Sequence, residues 1–192
     1  MRLTTAFAKE REREITGMQP ESMIIQKSYW VIQGRFRAGE YPGSVENDEA
    51  RAKLRWLLDQ EIYDFVDLTQ PGEDGLIAYE SLLRNEAKKE NKTVRYTRLP
   101  MADFSTPSQE QVKNVLGKIE RALQAGGNIY LHCYGGKGRT GTVVGCYLAE
   151  HGYPGESALR KIEELRRGVP DHEKLSPETD GQRKMVIEWN KG

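Results

Sequence analysis

Residues 128 to 141 read NIYLHCYGGKGRTG. The short apolar run NIYLH (128–132) is followed at once by Cys133, and four glycines, a lysine and an arginine come within the next eight positions. An unbroken apolar run of this length is the pattern of a strand buried on both faces. The glycines beyond it demand a tight turn. Val143, Val144, Tyr147 and Leu148 then return at helical spacing. The stretch therefore reads as strand, glycine-rich turn and helix, a building unit of α/β sheets.

Three chemistries compete for that turn. Gly136, Gly138 and Gly141 match the GxGxxG of a dinucleotide loop. Lys137 and Arg139 sit inside the motif, however, and no strand follows the helix to complete a βαβ unit. A Walker loop fails because Lys137 lacks the GxxxxGK[ST] context. A metal or redox cysteine finds no companion: Cys133 and Cys146 are the only cysteines, with no CxxC pair and no Cys/His cluster. The third chemistry uses every residue. A glycine-rich turn entering a helix N-terminus aims backbone N–H groups at one point, where the helix dipole adds positive potential. Such a nest holds a phosphate dianion, and Arg139 closes it with a planar two-pronged fork. The same field favours a thiolate at Cys133. One loop then supplies a nucleophile and a socket for the group it attacks, with Tyr134, Gly135, Gly136, Lys137, Gly138 and Arg139 as the phosphate-binding residues.

His132-Cys133, five residues, then Arg139-Thr140 resembles the signature loop of the cysteine-dependent protein tyrosine phosphatase superfamily, in its dual-specificity branch. The likeness spans residues 28 to 190 at the level of element order. His132 before the cysteine and Thr140-Gly141 after the arginine separate it from rhodanese-type sulfurtransferases. The resemblance implies a catalytic set of Cys133, Arg139, Asp103, Thr140 and His132. Cys133 is the expected nucleophile, and Thr140 is expected to bond its sulfur. His132 is expected to be structural. The family carries its general acid on an upstream loop, and RLPMADFSTPSQ puts Asp103 between a strand and a helix, 30 positions before Cys133. Asp67, Glu73 and Asp74 are the fallback acids. Ala102 stands where the large tyrosine-specific domains carry tryptophan. Gln182, in SPETDGQRKMVIEW, either orients a hydrolytic water or is a surface helix residue. Neither metal nor cofactor is expected. The implied substrate is a phosphorylated protein or peptide, on tyrosine or on serine and threonine. Lys137 also resembles a basic loop position of the phosphoinositide phosphatases related to tensin, which leaves inositol phosphates as an alternative. A phosphate-binding scaffold without turnover is a second alternative.

The flanking sequence gives the frame. SYWVIQGRFRAGEYPG (28–43) reads as strand, turn, strand, and ENDEARAKLRWLLDQ (46–60) as a helix with Ala50, Leu54, Leu57 and Leu58 on one face. IYDFVDLT (62–69) and TVRYTRLP (93–100) are strands with a helical segment between them. Thr106-Pro107-Ser108-Gln109 offers a helix start with Thr106 as cap, Pro107 in the first turn and Gln109 completing a capping box. Helices are expected near 155–168 and 178–190. The predicted fold is α/β: a central, mostly parallel sheet of four to five strands flanked by helices, like that of the tyrosine phosphatases.

Bulk properties set the remaining limits. The 192 residues suit one domain, expected over 23–192, preceded by an arm over 1–22. Twenty-nine basic and 29 acidic residues cancel, so no bulk field favours nucleic acid. No apolar run reads as a signal peptide or a membrane span. Two cysteines make no disulfide framework, and a cytoplasmic monomer is expected.

Overall fold

The computed structural model describes residues 24–190. The arm expected over residues 1–22 lies outside them. Five strands form one sheet: β1 (Ser28–Ile32), β2 (Phe36–Gly39), β3 (Ile62–Asp67), β4 (Arg95–Arg98) and β5 (Asn128–His132). Their order across the sheet is β1-β2-β5-β3-β4. Only β1 runs antiparallel to its neighbour, being joined to β2 by a tight turn, and the other pairs are parallel. Among the described residues, six α-helices accompany them: α1 (Asn47–Asp59), α2 (Glu80–Lys89), α3 (Gln109–Gln124), α4 (Gly138–Glu150), α5 (Glu156–Leu165) and α6 (Asp180–Ile187).

NIYLH is the central strand, as its composition demands. Ile129 and Leu131 enter one core, beneath α3 to α6. Tyr130 enters the other, against α1 and α2. All three are fully buried, and truncating Leu131 to alanine would cost about 2–5 kcal/mol. α4 is buried on every side from Gly138 to Leu148, which is why its composition is small and apolar all round rather than amphipathic. Cys146 lies in that packing with no exposed surface.

One helix start differs from its expectation. Ser108, not Thr106, caps α3, and Gln111, not Gln109, completes the capping box. Pro107 therefore precedes the cap. Ser108 and Gln111 have the three-residue spacing that lets each side chain reach the other's backbone N–H. The last helix is also shorter than 178–190, because Thr179 and Gln182 form a second capping box that starts α6 at Asp180.

The parallel strands end in register. Gly39 pairs with His132, His132 with Asp67, and Asp67 with Arg98, in one row across the carboxyl edge of the sheet. The loops after β3, β4 and β5 all leave from this row. Crevices beyond the carboxyl ends of such strands are where open α/β sheets place ligands.

Candidate active site

The turn from Cys133 to Gly138 joins β5 to the N-terminus of α4. Gly136 holds it tight: its φ is +71°, and a Cβ there would lie 2.5 Å from the carbonyl carbon of Gly39 at the end of β2. The Tyr41 N–H donates to the Tyr134 carbonyl at 2.9 Å, tying the turn's outer side to the same segment. Cys133 is 3 % exposed, while Tyr134 is about half exposed beside it.

His132 anchors the turn from below. Its ring is fully buried, with Nδ1 3.2 Å from the Cys133 carbonyl and Nε2 2.6 Å from the Tyr79 hydroxyl. Cys133 has only a carbonyl to offer, so Nδ1 carries the proton and Nε2 accepts from Tyr79. Burial pushes the His132 pKa below its usual value, against the pull of Asp67, whose Oδ1 lies 3.9 Å from Nδ1. Asp67 accepts from Tyr96, Arg98 and Thr69. The floor of the site is thus a closed polar network under the turn from Cys133 to Gly138.

Arg139 is the most heavily engaged residue. Its side chain is fully buried, and its guanidinium meets Glu73 with two prongs, at 2.6 and 2.5 Å. It also donates to the carbonyl of Met101 at 3.2 Å, and Nη2 lies 3.0 Å from Asp103 Oδ1. Burial alone would lower its pKa, but Glu73, Cys133 and Asp103 together raise it. Glu73 moves the other way: burial raises its pKa, and the Arg139 bond and the Gln70 N–H bring it below the usual carboxylate value. Within the site, two buried polar atoms have no hydrogen-bond partner among the described residues, Arg139 Nε and Thr140 Oγ1. The first is an N–H donor that no described residue uses. The second means that the expected bond from Thr140 to the Cys133 sulfur is not formed in this arrangement.

Asp103 lies in a turn closed by Ser105, whose N–H and hydroxyl both reach the Ala102 carbonyl. The turn places the carboxylate, 31 % exposed, at the rim of the Arg139 cradle. Lys137 points elsewhere. Its ammonium pairs with Glu178 at 3.1 Å and lies 3.8 Å from Asp171. Of the fallback acids, Asp67 is sealed in the floor and Glu73 is committed to Arg139. Glu73, Asp74 and Asp103 each bring a carboxylate oxygen within 4.8 Å of the others, and two of the three already face Arg139.

Two residues named from the sequence make contacts that the sequence does not reveal. Glu73 is Arg139's principal partner from 66 positions away. Gln182 is fully buried rather than on a surface, and reaches the Asp103 turn through the Ser105 carbonyl at 3.0 Å. The Thr-x-x-Gln capping box at 179–182 marks the residue, but not what its amide touches.

Known proteins resemble this chain in sequence and in fold. The tyrosine-protein phosphatase CDC14 of Saccharomyces cerevisiae is 28 % identical over 95 residues, 49 % of this chain and 17 % of that one. The chain spans a third or less of the length of the curated relatives that it matches. The solved structure of Tk-PTP in its active form superposes with a TM-score of 0.62 at 25 % identity, covering 85 % of this chain and 95 % of that one. Kinase associated phosphatase shares the fold at a TM-score of 0.62 and 18 % identity, over 84 % of this chain and 91 % of that one. Residues 26–186 match the family described as the Swiss Army Knife protein, DSP-PTPase phosphatase domain, and the chain belongs to that family.

Proposed function

We propose that this chain removes phosphate from phosphotyrosine, phosphoserine or phosphothreonine in proteins through a phosphocysteine intermediate. The observation that carries the reading is the meeting of Asp103 with Arg139 in the first turn of α4, the helix that the turn from Cys133 leads into. The Cys133 thiolate attacks phosphorus in line. As the P–S bond forms, the P–O bond to the leaving oxygen breaks, and Asp103 gives that oxygen a proton. Arg139 and the loop N–H groups hold the other phosphate oxygens as their charge shifts. Water then attacks phosphorus and passes a proton to Asp103, the P–S bond breaks, and phosphate leaves. Glu73 fixes the plane of the Arg139 fork. Substrate phosphate takes the free Nε and competes with Asp103 for Nη2, returning the carboxyl toward the leaving oxygen.

The inositol phosphate alternative needed Lys137 as a second anion site. Its pairing with Glu178 spends that charge on the loop at 171–178, so the protein substrate is preferred. The same reading takes residues 23–192 as the catalytic domain and the chain as a cytoplasmic monomer with two free thiols.

Hydrolysis of p-nitrophenyl phosphate between pH 5 and 8 tests the proposal. Cys133→Ser should abolish turnover and retain phosphopeptide binding. Asp103→Ala should slow turnover by about 10²–10⁴-fold and remove the fall in rate at high pH. Phosphate binding without any turnover by the wild type would leave a scaffold instead of an enzyme.

A further inference from the structure

The general acid has to be held in place by something other than the anion it faces. Asp103 and Phe104 are the middle residues of the turn from Ala102 to Ser105, and Phe104 adopts a left-handed φ of +53° with its ring 65 % exposed. A left-handed, exposed aromatic residue is strained and gains little packing, so the turn needs support from its surroundings. That support comes from the first turn of α6. The Gln182 side-chain N–H donates to the Ser105 carbonyl at 3.0 Å, two residues beyond Asp103. Its side-chain oxygen accepts from the N–H groups of Glu178 and Thr179, at 3.2 and 3.3 Å, which fixes the amide's orientation. The same amide backs the nucleophile loop, since a Cβ on Gly138 would sit 3.2 Å from Gln182 Oε1. Next to it, Gly181 lets α6 close on the acid loop: a Cβ there would lie 2.2 Å from Thr106 Oγ1. Ser176 adds a bond to the Lys137 carbonyl at 2.9 Å.

The geometry points to Gln182 as a positioning residue that latches the Asp103 turn to the nucleophile loop, so that acid and nucleophile keep one relative placement. This rests on the phosphatase reading above. It assigns to Gln182 a hold on the protein backbone rather than a contact with water or substrate. Loosening the latch should impair proton delivery to the leaving oxygen and spare steps that need no acid. The defect must therefore grow with the basicity of the leaving group.

The experiment uses the whole chain, with p-nitrophenyl phosphate and phenyl phosphate as paired substrates. p-Nitrophenolate is the weaker base and depends less on a proton for its departure, whereas phenolate, with a pKa of about 10 like the tyrosine side chain, depends on one strongly. Gln182→Glu keeps the acceptors for Glu178 and Thr179 and removes the donor to Ser105. Gln182→Ala removes all three bonds. In both variants kcat/KM for phenyl phosphate should fall on the order of 10-fold further than for p-nitrophenyl phosphate. The fall in wild-type rate at high pH should flatten on phenyl phosphate. A misfolded fraction lowers both substrates equally, so the ratio stays informative even if a variant is partly unfolded. An unchanged ratio overturns the latch. That includes an equal loss on both substrates with a burst of released phenol, which would put Gln182 at the water attack on phosphocysteine. A wild type inactive on both substrates would instead overturn the phosphatase reading itself.

Discussion

At Arg139 one guanidinium serves two carboxylates and a backbone carbonyl, yet keeps Nε unspent. On the proposed function, the arginine is thus already planar, charged and aimed before a phosphate arrives. Cys-x5-Arg makes that role legible in the sequence, because the spacing lies within one loop. Glu73 was legible only as an acid near the end of a strand. Its pairing with Arg139 depends on the loops after β3 and β5 leaving side by side. His132 shows the same division. A histidine beside the nucleophile is visible in the sequence, but its bond to Tyr79, 53 positions away, is not. Its burial makes a prediction for stability. The folded-state pKa lies below the unfolded value of about 6.5, so the unfolded chain takes the proton first. The stabilisation from the neutral ring is complete above pH 6.5 and is lost as pH falls toward the folded pKa. Its slope is at most about 1.4 kcal/mol per pH unit. Urea midpoints compared between pH 8 and 5.5 should drop further for the wild type than for His132→Asn.

Among the elements, α3 and α6 show what local sequence settles. Both begin at a Ser/Thr-x-x-Gln capping box, and both flank a loop that supplies the site. The helix after the acid loop was legible, but its cap was displaced by two residues. Thr106 and Ser108 are both capable caps in isolation, serine the better of the two. Ser108 caps the helix, while Thr106 packs against Gly181 of α6, a contact 75 positions long. Ser108→Ala should therefore cost about 1 kcal/mol, read from a shift in the urea midpoint at unchanged slope. Thr106→Ala, removing no cap, should cost less. α4 was legible as a helix because it follows the glycine turn directly. Its burial on all sides was not, since it follows from α3, α5 and α6 closing around it.

For the molecule as a whole, ligand binding and folding should be coupled. The site draws on the loops after β3, β4 and β5 and on the start of α6, so a bound anion ties together segments from residue 73 to residue 182. Inorganic phosphate at a hundred times its dissociation constant should add about 2.7 kcal/mol to stability, seen as a rise in Tm. Arg139→Lys, lacking the fork, should show little of that rise at the same concentration. The α/β class, the central place of NIYLH, the glycine turn and the Cys133–Arg139 pair were determined by the sequence alone. Each depends on residues within a few positions of one another, where periodicity and steric limits act directly. Tertiary structure decided the rest: Glu73 on Arg139, Lys137 turned to Glu178, and Gln182 buried against the Asp103 turn. Those contacts join segments tens of residues apart. Glu73 meets Arg139 because parallel strands end in register and set the loops after β3 and β5 side by side, and Glu178 and Gln182 reach the site because α6 packs against α4.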